Sequence, residues 1–150
     1  MNPSSTRGFT LVELAITILV LGLLFAFTIP AYQNVSASYQ LKGATETVAA
    51  QLRLAREKAI STGMDQPMHF VYQWTDPLNG FVSDYHIHYP TGFSPAAWRL
   101  PRGITYYSVT VNPTMKRDGR ASASGDIILR DRRGYRDTVS VQMSGLVLTK

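Results

Sequence analysis

Arg7-Gly8-Phe9-Thr10-Leu11-Val12-Glu13-Leu14, continuing through apolar residues to Pro30-Ala31-Tyr32, is the stretch whose reading decides the fold. Residues 9–29 carry one charged side chain, Glu13. As a helix rising 1.5 Å per residue they span roughly 31 Å, about one bilayer core, so the composition predicts a membrane helix. Glu13 stands against that reading. A carboxylate held deep in a bilayer costs on the order of 2.5–3.5 kcal/mol, and such a group usually has a partner. The helix itself supplies no Lys, Arg or His. Two accounts stay open on chemistry alone. A cut between Gly8 and Phe9 frees an amine that meets Glu13 of the same or a neighbouring chain. Alternatively Glu13 faces headgroups near the helix start, where the helix dipole favours a negative charge.

Working outward, residues 1–8 hold one charge, Arg7, and no small-residue cleavage site follows the apolar run, unlike an ordinary secretory signal. The run is therefore expected to remain as an anchor. Arg7 before it, with Lys42 as the first basic residue after it, favours an amino terminus inside. With no cysteine in 150 residues, disulfides, thiol nucleophiles and cysteine metal sites are excluded. The domain beyond the anchor has to be held by core packing or by partners.

Gly8-Phe9-Thr10-Leu11-Val12-Glu13 after a short basic leader, followed by an apolar helix, resembles the class III signal of type IV pilins and pseudopilins. The resemblance implies that a prepilin peptidase removes residues 1–8 by cutting after Gly8, and that the new amino terminus on Phe9 is methylated. It further implies that Glu13 is the assembly carboxylate, pairing with the Phe9 amine of an adjacent subunit, and that Pro30 bends the helix. It places the soluble part in the periplasm.

Beyond Pro30, which lacks an N–H and is expected to kink the helix, Leu41, Ala44, Val48, Leu52, Ala55 and Ala59 recur at three- and four-residue steps. They predict an amphipathic continuation over residues 31–63, with Gly63 as its carboxyl cap. The phrase from Leu52 to Ile60, followed by Gly63, resembles the GspH/FimT branch of minor pseudopilins. After Gly63 the period changes to two. Strands are expected at 67–74, 85–89, 104–111, 126–130, 138–143 and 146–149, with turns at 76–80 and 131–134 and loops at 92–101 and 112–125. The predicted architecture is α+β: a transmembrane helix over 9–30, its continuation over 31–63, and a β-rich periplasmic domain over 64–150. The helix stripe packs on one antiparallel sheet of five to six strands.

Three histidines, His69, His86 and His88, fall in predicted strands. His86 and His88 share one strand face and with His69 offer three imidazoles to a metal, but without an accompanying carboxylate motif the favoured reading is ordinary strand histidines. Asp76 with Asn79 lacks the oxygen register of a calcium loop. Nucleophile-elbow, zinc-protease and phosphate-loop motifs are absent. The expectation is therefore no catalytic residue, no cofactor and no metal. From Arg99 to Asp137, nine Lys or Arg face four Asp, leaving about +5 there and the rest of the chain near neutral. Two clusters stand out, Lys116, Arg117 and Arg120 in a loop, and Arg130, Arg132, Arg133 and Arg136 at a hairpin tip beside Tyr135. They are candidates for DNA contact through phosphates and stacking, or for subunit contact, or are plain solvated turns.

FimT-like members are implicated in DNA uptake through basic residues near the carboxyl end, whereas here Leu146 follows Gly145 in place of an expected Arg. GspH-like members sit near the tip of the type II secretion pseudopilus. The expected function is a non-enzymatic minor pseudopilin, inner-membrane anchored with its amino terminus cytoplasmic and its domain periplasmic. Its expected partners are other pseudopilins and the prepilin peptidase. The alternative is a FimT-like minor pilin of a type IV pilus that binds DNA for natural transformation.

Overall fold

The structure is a computed structural model that describes residues 9–77, 80–88 and 96–150. Helix α1 runs from Leu11 to Thr62 with Pro30 inside it. The chain forms two compact units, Met1–Ala37 and Ser38–Lys150. In the first, the apolar half of α1 has a mean hydropathy of 2.5 over its most apolar window and buries none of it, and it is long and apolar enough to cross a membrane.

In the second unit, α1 presents Leu41, Ala44, Val48, Leu52, Ala55 and Ala59 to the core, all six stripe positions, together with Thr45 and Ala49. Thr45 is accommodated because its hydroxyl donates to the Leu41 carbonyl at 3.0 Å, satisfying the buried polar group within the helix. The helix stops at Thr62, and Gly63 follows at φ 66°, the left-handed conformation that a carboxyl cap takes and that glycine adopts without a Cβ clash.

Eight strands follow: β1 (Gln66–Thr75), β2 (Val82–Ile87), β3 (Ala97–Trp98), β4 (Thr105–Val109), β5 (Thr114–Met115), β6 (Gly125–Arg130), β7 (Arg136–Val141) and β8 (Val147–Thr149). They build two four-stranded sheets, ordered β3-β2-β1-β5 and β4-β6-β7-β8, in place of the single sheet expected. All named pairings are antiparallel. The expected loops 92–101 and 112–125 each contain a two-residue strand, β3 and β5, too short to display a period. Tyr89, Leu78, Asn79 and the start of the 92–101 loop lie outside the described residues.

Met68, Phe70, Tyr85, Ile87, Met115, Ile127, Leu129, Val139, Val141 and Val147 join the α1 stripe in one buried cluster. Full burial of side chains of this size stabilises by about 1.5–3 kcal/mol each. Aromatic stacking extends the cluster. Tyr85 stacks on Phe70 at 5.8 Å and on Trp98 at 5.4 Å, and Tyr106 meets Phe70 edge-on at 6.2 Å. The Tyr106 hydroxyl donates to the Asp84 carbonyl at 3.0 Å, so its polar tip is satisfied where its ring is buried.

Two arginines of α1 tie the helix to the β-rich part of the unit, one at a turn and one at the start of β8. Arg56 Nε donates to the Gly119 carbonyl at 2.7 Å, and Arg53 Nη2 to the Val147 carbonyl at 3.1 Å. Gly145, at φ 78°, packs directly on the Gly119 carbonyl and on Arg56, leaving no space for a Cβ.

Candidate functional sites

At the start of α1, Glu13 closes a reciprocal pair with Thr10. The Thr10 amide and hydroxyl donate to Glu13 Oε2 at 2.9 and 3.0 Å, and the Glu13 amide donates to Thr10 Oγ1 at 3.2 Å. This is a capping box, in which a Thr and a Glu three residues on satisfy amide donors that the first helical turn leaves unpaired. Thr10 was not singled out from sequence, although the Thr-x-x-Glu spacing ahead of an apolar run carries the signal. Phe9 is exposed, Gly8 and residues 1–7 lie outside the described residues, and Pro30 lies inside α1.

The two basic clusters occupy opposite ends of β7. The tip Asp131–Gly134 precedes Arg136, whereas the turn from Lys116 to Arg120 lies by Met143, whose carbonyl accepts the Ala121 amide at 3.1 Å. Six strand residues at about 3.4 Å each separate them by about 20 Å. They do not form one surface patch.

At the tip, Asp131 is the organiser. Its carboxylate accepts the amides of Arg133 and Tyr135 and the Arg133 Nε, each at 2.9 Å, and pairs with Arg133 Nη2 at 2.8 Å. Partial desolvation pushes the Asp131 carboxyl upward. The hydrogen bonds from Arg133 and Tyr135 and the Arg133 charge outweigh it and hold the group below the usual carboxylate value. Arg133 is thereby largely committed, since Nη2 also donates to Ser38 Oγ at 2.9 Å and its guanidinium lies 4.8 Å from the centre of the Tyr135 ring. Arg130 and Arg136 present differently. Both are exposed and flank Tyr107, with the Arg136 guanidinium 3.5 Å and the Arg130 guanidinium 5.9 Å from its ring centre. An open cleft of about 600 Å³ beside them is lined by Arg130, Arg132, Arg133, Tyr72 and Thr105. Tyr107 was missed from sequence because its position opposite β6 depends on strand register.

In the second cluster the charges decorate a turn fixed by its backbone. The Gly119 amide donates to Lys116 O and the Lys116 amide to Arg120 O, both at 2.8 Å. Amides of Arg117 and Arg120 donate to the carboxylates of Asp65 and Asp118 at 3.0 and 2.9 Å.

The three histidines converge. β1 and β2 pair with His69 directly opposite His86, and His88 lies two residues along on the same face. His69 and His88 stack at 4.6 Å, His86 meets each of them edge-on at 5.6 and 5.7 Å, and Trp74 stacks on His86 at 4.0 Å. Trp74 reaches this position after an irregularity in β1, where two extra residues are taken up between Phe70 and Trp74. Gln73 there adopts φ 53°, held by its amide donating to Asp84 Oδ1 at 2.9 Å. His86 is 1% exposed. Burial lowers it to about 4, neighbouring His69 and His88 push the same way, and Asp76 opposes them. Burial, then His88, lowers His69. The His86 ring is therefore neutral at neutral pH.

Residues 3–29 match the family described as the prokaryotic N-terminal methylation motif. A fimbrial protein of Pseudomonas aeruginosa is 42% identical over 59 residues, covering 39% of this chain and 38% of that protein. The type IV major fimbrial protein FimA of Dichelobacter nodosus is 36% identical over 72 residues, covering 48% of this chain and 45% of that protein. The chain thus matches less than half the length of these curated relatives. Among solved structures, the minor pseudopilin EpsH from the type 2 secretion system of Vibrio cholerae superposes with a TM-score of 0.52 over 74% of this chain and 96% of that chain, at 12% identity. The fold is that of a pseudopilin, a long amino-terminal apolar helix continuing into an antiparallel sheet domain.

Proposed function

We propose, from the premise that the chain is a type IV pilin-like protein, that it is a minor pseudopilin of a type II secretion pseudopilus. The observation that carries this reading is the shared fold with EpsH, which extends over 96% of that chain. In this reading the peptidase cuts between Gly8 and Phe9, Phe9 is methylated, and the apolar half of α1 anchors the protein with its domain in the periplasm. Pro30 bends the helix at the membrane exit. The cut leaves Thr10 and Glu13 intact, so the capping box that starts α1 survives processing. Glu13 Oε2 then keeps its bonds from the Thr10 amide and hydroxyl, while the second carboxylate oxygen and the charge are available to the Phe9 amine of the next subunit. The protein works by assembly near the filament tip and has no catalysis of its own.

A second reading is favoured by one observation. Arg130 and Arg136 flank the exposed Tyr107 ring beside a cleft lined by further arginines. That arrangement suits phosphates and a stacked base, as a DNA-binding minor pilin requires.

Deletion of the gene in its host, with complementation by the intact chain, distinguishes the two. Loss of protein export with transformation unchanged supports the secretion pseudopilus. Intact export with lost transformation overturns it in favour of the pilus.

A further inference from the structure

All three histidines of the chain, in a sequence without cysteine, offer ring nitrogens that lie within 4.8 Å of one another. Chance scatter over 150 residues gives no reason for this convergence, and the secretion or pilus role uses none of the three. The core of the cluster is His86, buried and, among the described residues, with neither Nδ1 nor Nε2 hydrogen-bonded. A neutral imidazole has one donor and one acceptor, and leaving a buried polar group unsatisfied costs about 1–3 kcal/mol. Its neighbours do not relieve this. Trp74 covers one face of the ring, and His69 and His88 meet it edge-on.

We propose that His69, His86 and His88 form a binding site for a divalent transition-metal ion of the zinc class. Three neutral imidazoles suit Zn²⁺, Ni²⁺ or Cu²⁺ and do not suit Mg²⁺ or Ca²⁺, which take oxygen ligands. Tetrahedral zinc with Zn–N near 2.0–2.1 Å sets its nitrogens about 3.4 Å apart, so the rings close inward on binding. His69 and His88, half-buried, are the two with room to turn, while the Trp74 stack holds His86 in place. The Asp76 carboxylate, also buried, acts on His86 with the sign that favours a cation. Partial exposure of His69 and His88 leaves a further coordination position to solvent. The ion joins β1 to β2 across one sheet and does for this domain what a disulfide does in domains that have cysteines.

The test uses the untagged full-length chain in detergent, stripped with chelator, because a polyhistidine tag would bind the same ions. Zn²⁺ is titrated calorimetrically and Co²⁺ is followed by its visible absorption. The expected result is one ion per chain, a tetrahedral Co²⁺ spectrum and a melting temperature that rises with ion concentration. His69→Gln and His88→Gln each weaken binding by more than the roughly 10–100-fold that loss of a supporting partner costs. His86→Phe abolishes binding while retaining a cooperative melt, since an aromatic ring replaces the unsatisfied imidazole on Trp74. Absence of stoichiometric binding to the folded wild-type chain overturns the site. So does a His69→Gln/His88→Gln double variant that binds as tightly as wild type.

Discussion

At the scale of single residues, one substitution separates the cap that Glu13 forms from the assembly role proposed for it. As a capping-box member it accepts from the Thr10 amide, and a glutamine serves that purpose too. In the proposed assembly role it needs its charge to meet an amine. Glu13→Gln is therefore expected to keep helix start, processing and membrane insertion while filament incorporation falls, as read by crosslinking to neighbouring subunits. Wild-type incorporation of Glu13→Gln would mean that the cap, not the charge, is the function. Glu13→Ala loses both and costs about 1 kcal/mol of helix stability in addition. Gly145 is the other residue with a single solution. At φ 78° against the Gly119 carbonyl and Arg56, it has neither the backbone freedom nor the space for a side chain. Gly145→Ala should destabilise the domain by about 1–3 kcal/mol, read as a lower denaturant midpoint at unchanged slope. An unchanged midpoint would show that the Arg56 contact to the Gly119 carbonyl is dispensable.

At the scale of elements, the β6–β7 hairpin tip depends on one carboxylate. Asp131 is held below the usual aspartate value by its bonds from Arg133 and Tyr135, so its contribution is fully present above about pH 4. It is lost only as pH falls through the lower folded value. The Arg133 and Tyr135 amide resonances should therefore titrate with a midpoint below that of a free aspartate, with the tip opening in acid. A midpoint at or above the ordinary value would show that Asp131 does not hold the tip. Arg133→Ala should move that midpoint upward, because it removes the charged partner. The hairpin itself is readable in sequence, from two alternating runs around a polar turn ending in Gly134. So is the stripe of α1, where all six positions follow from the 3.6-residue period. What escapes is whatever depends on register between distant segments. The two-residue strands β3 and β5 are too short to show alternation. The division into two sheets leaves no local trace. Of the histidine cluster, only the i,i+2 pair His86 and His88 is visible locally. The third member arrives because β1 pairs in the one register that sets His69 against His86, and a slip of one residue would turn it to the other face.

At the scale of the whole molecule, a net charge of +5 can act in two ways, spread over the surface or gathered into sites. A uniform cationic surface would bind any polyanion weakly, but the charge here is divided between two sites at opposite ends of β7. One of them, the turn from Lys116 to Arg120, is a backbone-fixed turn carrying solvated side chains. At the other, Asp131 neutralises Arg133, which leaves Arg130, Arg132 and Arg136 around the Tyr107 ring and the neighbouring cleft. DNA binding is therefore expected to run through Arg130 and Arg136 more than through Arg133. Each phosphate contact contributes about 0.9 to the slope of log affinity against log salt on duplex DNA, or about 0.7 on single strands. Arg130→Ala/Arg136→Ala in the full-length chain is then expected to lower the slope by about 1.4–1.8, whereas Lys116→Ala/Arg117→Ala changes it little. Fluorescence anisotropy of a labelled oligonucleotide at several salt concentrations reads both. Equal losses in the two double variants would mean a diffuse electrostatic attraction without a site. No binding by the wild-type chain at low salt would assign the Tyr107 cluster to contacts with acidic surfaces of neighbouring subunits. In that case the same double variant should weaken incorporation into the pseudopilus in a salt-dependent way, because the exposed charge that fails to find a phosphate still has to find a carboxylate to contribute to assembly.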